Sequence, residues 1–178
     1  MGMALVLLGV TGGIAAYKAC ELTRRFVRAG HEVVPILTAG AEQFVTRETF
    51  KALANRPPDE SPYPHLTRAD LPVIAPLTAN TLAKLAHGLA DDVLTEAALA
   101  HDGPVLVAPA MNDRMWAHPA TQANAELLQQ RDDLRRERVS RRLAQHPGKA
   151  LDKSVGALAP VDVQHVPASP VLAAPTVR

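Results

Sequence analysis

The chain has a single cysteine, Cys20, among its 178 residues. That excludes an intramolecular disulfide framework and any cysteine-based metal cluster. Aromatic residues are almost as scarce: Tyr17, Phe26, Phe44, Phe50, Tyr63 and Trp116, so a core has to be built from Ala, Val, Leu and Ile. An excess of one charge is missing, with 19 basic against 18 acidic side chains and a formal charge of +1. A nucleic-acid binder usually carries a concentrated positive footprint, so no nucleic-acid partner is expected. Long hydrophobic runs are missing too. The apolar start Met3–Val10 is far shorter than the ~20 residues of a bilayer span. It lacks the basic n-region of a signal peptide, and Val6 stands where myristoylation calls for Ser or Thr. No membrane association is expected, and the expected compartment is the cytoplasm. No grouping of His, Asp and Glu has metal-ligand spacing. What the chain does have is 47% hydrophobic residues, in a length typical of one domain of ~100–200 residues.

Met3–Val10 reads as a buried strand ending in the turn Thr11-Gly12-Gly13. Apolar spacing from Ile14 to Ala29 predicts a helix, with Gly30 at its C-terminal end. Glu32–Thr38 is a second strand, in which Pro35 predicts a bulge or a position at the sheet edge. Short helices are expected at Ala41–Phe44 and Arg47–Asn55, then a proline-rich loop over Arg56–Pro64. Further strands are expected at Leu71–Ala75 and Val105–Ala108, and helices at Thr78–His87, Asp92–Ala100 and Pro119–Gln130. Strands alternating with helices predict an α/β fold with a doubly wound, mostly parallel sheet covered on both faces. The composition changes after residue 130. Six arginines fall within Arg131–Arg142, and His146–Arg178 carries five prolines and no aromatic residue. The expected organisation is one domain over 1–130 and a diverged, extended or disordered tail over 131–178.

Three clusters fall at successive strand ends. Gly9-Val10-Thr11-Gly12-Gly13-Ile14 leads from strand to helix, a geometry in which backbone N–H groups and a helix N-terminus favour an anion. The spacing is not that of the Rossmann dinucleotide motif, and the second strand ends in Leu37-Thr38 rather than in an acidic residue for a ribose. The second cluster is Ala75-Pro76-Leu77-Thr78-Ala79-Asn80-Thr81, where Thr78 can also serve simply as an N-cap. The third is Pro109-Ala110-Met111-Asn112-Asp113-Arg114-Met115-Trp116, whose bland reading is an Asn cap beside a Met/Trp core pair. Ligands of open α/β sheets sit at the carboxyl ends of strands. Neutral polar groups at Thr11, Thr38, Thr78, Asn80 and Thr81 along that edge suit a phosphate and a flavin ring edge.

The stretches GVTGGIAAYKA (Gly9–Ala19), LTAGA (Leu37–Ala41), VIAPLTANTLAKLAHGLADD (Val73–Asp92) and VAPAMNDRMW (Val107–Trp116) resemble the flavoprotein family of cysteine decarboxylases. That family includes the phosphopantothenoylcysteine decarboxylases of coenzyme A biosynthesis and the lantibiotic peptidyl-cysteine decarboxylases. The likeness covers roughly residues 4–130. It implies noncovalent FMN, a small cysteine-carboxylate substrate and a homotrimer or higher assembly. The implied FMN positions are Gly12, Gly13, Ile14, Thr38, Thr78, Ala79, Asn80, Thr81 and Ala110. Asn112 would grip the substrate carboxylate with Met115 nearby, and His65 would be the active-site histidine. In the implied reaction, oxidation of the thiol side gives a thioaldehyde, which supplies the electron sink that a departing cysteine carboxylate needs. A flap cysteine then acts as proton donor when the enethiol is reduced.

The sequence departs from that pattern in three places. His65 stands only four residues before Ala69, closer than in the family. The Cys-Gly-Asp flap is absent, and Cys20 lies at a helical core position. The segment after Gln130 reads as a frame change or a diverged copy. Two further readings therefore stand beside phosphopantothenoylcysteine decarboxylation. One is oxidative decarboxylation of a peptide's C-terminal cysteine, and the other is a noncatalytic FMN-binding or regulatory subunit. His87-Gly88, Asp91-Asp92 and His101-Asp102-Gly103 read as helix ends and caps.

Overall fold

The structure, a computed structural model, describes residues 3–54 and 69–131. Four strands form a parallel sheet: β1 (Leu5–Val10), β2 (Glu32–Leu37), β3 (Leu71–Leu77) and β4 (Leu106–Pro109), in the order β2-β1-β3-β4. Between them run α1 (Ala16–Arg28), a 3-10 turn (Ala41–Gln43), α2 (Arg47–Ala54), α3 (Ala79–His87) and α4 (Val93–Ala100). After β4 come the single turn α5 (Asp113–Trp116) and α6 over 119–131. This is the expected doubly wound α/β arrangement.

Alternation along each strand sends side chains to two separate cores. Val6, Leu8, Val10, Val33 and Val73 meet Ala16 and Ala19 of α1 and Phe50 of α2 on one face. Leu7, Val34, Ile36 and Ile74 meet Leu82 of α3, Leu94 of α4 and Ala125 of α6 on the other. Phe50 is fully buried, and burial of such a ring contributes on the order of 1.5–3 kcal/mol. Cys20 packs against the α1 face, where burial pushes its thiol pKa up against a smaller, opposing backbone hydrogen bond.

The element boundaries carry local reasons. Pro35 lies on β2, at the sheet edge among the described residues, and pairs with Leu8 without a register shift. Gly30 has φ 84°, the left-handed conformation that Cβ disfavours. It donates to the Val27 carbonyl at 3.0 Å while His31 N–H reaches Phe26 at 3.0 Å, closing α1 in a Schellman motif. Gly88 (φ 68°) ends α3 in the same way. Asp92 and Thr95 form a capping box on α4.

One expectation is corrected at the start of α1. The helix begins at Ala16, not Ile14, because Ala16 N–H first bonds back to the Gly13 carbonyl at 2.9 Å. Ile14 precedes the buried stripe of Ala16, Ala19 and Thr23 and is 78% exposed, and Tyr17 is also exposed. β3 likewise runs two residues past its expected end at Ala75, to Leu77.

The loops after β1 and β2 touch. A Cβ on Gly12 would lie 2.7–2.9 Å from the backbone of Gly40, whereas one on Gly13 would meet nothing within 4 Å. Gly12→Ala is therefore expected to lower the thermal midpoint clearly, by forcing two backbones apart. Gly13→Ala should leave the midpoint close to that of the parent chain. A thermal melt of both variants followed by circular dichroism checks the contrast.

Candidate functional site at the carboxyl edge of the sheet

The four strands end side by side, and the loops that leave them are bonded to one another. Thr11, just past β1, is 1% exposed. Its hydroxyl donates to the Pro76 carbonyl at 2.7 Å and accepts from Thr78 N–H at 3.0 Å. Thr38, just past β2, donates from its N–H to the Val10 carbonyl at 3.1 Å. Its hydroxyl reaches the same carbonyl at 3.4 Å and accepts from Ala41 N–H at 3.3 Å. Ala110 N–H, after β4, donates to the Leu77 carbonyl of β3 at 3.0 Å. The first, second and third sequence clusters, together with Thr38, thus form one connected edge.

Within that edge the expected site residues divide by role. Thr78 is the N-cap of α3, accepting from Thr81 N–H at 3.3 Å, and its hydroxyl also bonds that of Thr81 at 3.2 Å. Thr81 is buried, so its side chain packs behind the first turn. Ala79 and Asn80 form the start of α3, and Asn80 is exposed. Ala110 is held by its bond to Leu77. No backbone carbonyl among the described residues accepts from the N–H of Gly12, Gly13 or Ile14. The hydroxyls of Thr11, Thr38 and Thr78 join and cap these loops. The Gly12–Ile14 N–H groups and the exposed Asn80 have no such role in joining the loops.

Asn112 is exposed and caps α5, its Oδ1 accepting from Met115 N–H at 2.8 Å. An amide carries two donor hydrogens besides that oxygen, so the cap leaves them for another partner. Met115 is 45% exposed, while Trp116 packs against the α3–α4 side of the core. The Met/Trp pair is thus split between surface and core. His65 lies outside the described residues, as does the tail over 132–178.

The other polar clusters belong to helix ends. Lys84 meets Asp91 at 2.8 Å, at the far end of α3 from Thr78. The hydrogen bond holds the Asp91 carboxyl below its ordinary range and raises the Lys84 ammonium. His87 Nε2 lies 3.1 Å from Asn124 Oδ1. Among the described residues no group of three or more His, Cys, Asp or Glu is set to hold a metal ion. No helix among them is long and apolar enough to cross a membrane. A cavity of about 110 Å³ lies between α3, α4, β4 and α6, lined by Leu82, Leu85, Leu99, Val105 and Leu128 among others. None of the expected site residues among the described ones lines it.

Sequence reading left Gly40 and Pro76 out of the site. The signal for Gly40 was the small-residue run Thr38-Ala39-Gly40-Ala41, whose glycine lets the loop after β2 lie against Gly12. The part played by the Pro76 carbonyl has no sequence signal, because it depends on the register of β3 against Thr11.

Comparison with known proteins bears on the family and the fold. The Flavoprotein family model matches residues 2–162. The coenzyme A biosynthesis bifunctional protein CoaBC of Mycobacterium tuberculosis is 47% identical over 135 residues, covering 71% of this chain and 32% of that protein. The chain thus spans about one third of the length of the curated relatives it matches. Among solved structures, the FMN-dependent cysteine decarboxylase SpaF superposes with a TM-score of 0.66 at 34% identity, covering 71% of this chain and 79% of that one. A PPC decarboxylase variant complexed with pantothenoylaminoethenethiol superposes with a TM-score of 0.63 at 32% identity, covering 72% and 79%. With its doubly wound sheet, its joined strand-end loops and a match over most of its length, the chain belongs to the Flavoprotein family.

Proposed function

We propose that the chain binds FMN at the carboxyl edge of its sheet and catalyses decarboxylation of phosphopantothenoylcysteine in coenzyme A biosynthesis, as a cytoplasmic homotrimer. The observation that carries this reading is the bonding of the loops after β1, β3 and β4 into one edge, in a chain whose relatives include coenzyme A biosynthesis proteins. The residues there fit the cofactor. The loop Gly12–Ile14 offers N–H groups that no described carbonyl engages, beside a Gly13 with open space at its Cβ position. Such a loop suits a phosphate, as backbone N–H groups before a helix N-terminus do generally. Asn80 and the first turn of α3 offer neutral polar groups to a ring edge. When bound, FMN supplies two-electron redox chemistry at the thiol-bearing end of the substrate.

The chain's own groups account for positioning. Asn112, with its oxygen fixed by the α5 cap, donates its amide hydrogens to the substrate carboxylate. A neutral donor holds that carboxylate without the permanent opposite charge that would resist its departure as CO₂. His65 serves as acid or base, because an imidazole titrates near neutral pH. A second reading, oxidative decarboxylation of a peptide's C-terminal cysteine, is favoured by one observation. The single thiol, Cys20, is packed into the α1 core rather than placed at the strand-end loops. An enzyme that stops at the enethiol has no need of a thiol proton donor.

The first test is the visible absorption spectrum of the purified chain, followed by release and identification of the chromophore. A yellow protein yielding FMN is expected, and a colourless one that also refuses added FMN would remove the reading. Product analysis then separates the two reactions, since the amine-thiol carries two hydrogens more than the enethiol. Asn112→Asp should abolish turnover while keeping bound flavin and an intact fold, because Asp caps a helix as well as Asn does. Retained turnover in that variant would defeat the carboxylate-binding role. Sedimentation of the FMN-loaded protein at three times the chain mass would support the trimer.

A further inference from the structure

The β1–β3 ladder pairs Val6 with Leu71 through Gly9 with Ile74 and goes no further. On the other side of β3, the register with β4 shifts between Ile74 and Leu77. The segment that leads into α3, Pro76–Thr78, therefore lies beyond the β1 ladder, and on its β4 side it keeps only the shifted pairing of Leu77 with Pro109. Pro76 has no N–H to offer, and its carbonyl and the Thr78 N–H flank Leu77, a fully buried residue.

We infer that Thr11 is the positioning residue of the flavin site: its one buried hydroxyl replaces the missing ladder and fixes α3 against the Gly12–Ile14 loop. The hydroxyl acts in both senses at once, donating to Pro76 and accepting from Thr78. It is adjacent in sequence to Gly12, whose backbone lies against Gly40. Leu77, the residue between its two partners, carries the bond from Ala110. The preceding residue, Val10, carries both bonds from Thr38. A displacement at Thr11 thus reaches all four strand-end loops. Its own hydroxyl, engaged on both sides and buried, acts through the loops and does not need to touch the cofactor.

This rests on the flavin reading above, and the experiment separates the two. FMN affinity of the full chain is measured by flavin fluorescence for the parent, Thr11→Val and Thr11→Ser, together with the visible circular dichroism of the bound flavin. Valine keeps the shape and leaves the Pro76 carbonyl and Thr78 N–H unsatisfied, so FMN binding should weaken by about 10–100-fold. Serine keeps the hydroxyl and should restore affinity to within about threefold, with an unchanged dichroism spectrum. Amide exchange in the flavin-free chain gives a second readout: Thr11→Val should speed exchange at Thr78 and also at Ala110 and Thr38, across the loops. Parent affinity in Thr11→Val, or faster exchange confined to Thr78, overturns the inference while leaving the flavin reading intact. A parent chain that binds no FMN removes the flavin reading, and this inference with it. Should Thr11→Val not fold, Thr11→Cys takes its place, as a weak donor of similar size; affinity equal to that of the parent then overturns the inference.

Discussion

A parallel sheet is held along its middle by a repeated ladder, but its carboxyl edge, where ligands bind, lies where the ladder stops. In this chain the Thr11 hydroxyl takes over at that point. Two hydrogen bonds from one atom hold β3's last turn of chain to β1, and the bonds from Thr38 to Val10 and from Ala110 to Leu77 extend the join on either side. All of these partners are backbone groups of neighbouring strand ends. Left unmade in a buried setting, each would carry a desolvation cost of about 1–3 kcal/mol. The edge is thus a small polar network inside an apolar sheet, and such networks are most ordered when every member is satisfied.

The same economy shows in the other polar residues of the edge. Thr78 and Asn112 both sit at N-caps, where a side-chain oxygen meets an N–H that the helix cannot pair itself. Capping fixes the rotamer of each side chain before any ligand arrives. For Asn112 this has a chemical result, because the oxygen is engaged in the cap while the two amide hydrogens are left for another partner.

Much of this was legible in the sequence. The buried strands were readable because Leu, Val and Ile dominate β1 and β3 with no charged residue between them, and the helix ends because Gly30 and Gly88 follow amphipathic stretches. Pro35 predicted a bulge or a sheet edge, since proline withholds a ladder donor, and among the described residues β2 lies at the edge without a bulge. The three clusters were readable as neighbours at one sheet edge because small and neutral residues recur at strand ends. The direction of the hydroxyls was not readable. A threonine after a strand looks the same whether it faces a ligand or a neighbouring carbonyl, and only the offset of β3 against β1 decides. The beginning of α1 was misplaced for a related reason: Ile14 continues the apolar spacing, yet the bond from Ala16 back to Gly13 makes it part of the turn.

Pro35 also distinguishes the two outer strands. On β2, a strand approaching from outside meets a run that contains one residue with no amide to offer. On β4, Leu106 pairs with Val73 and lies 38% exposed, with no proline before Pro109 at the strand's end. Among the described residues, then, the sheet is blunted on one flank and receptive on the other. A strand laid against β2 would meet the missing amide of Pro35, whereas one laid against β4 would meet none before Pro109.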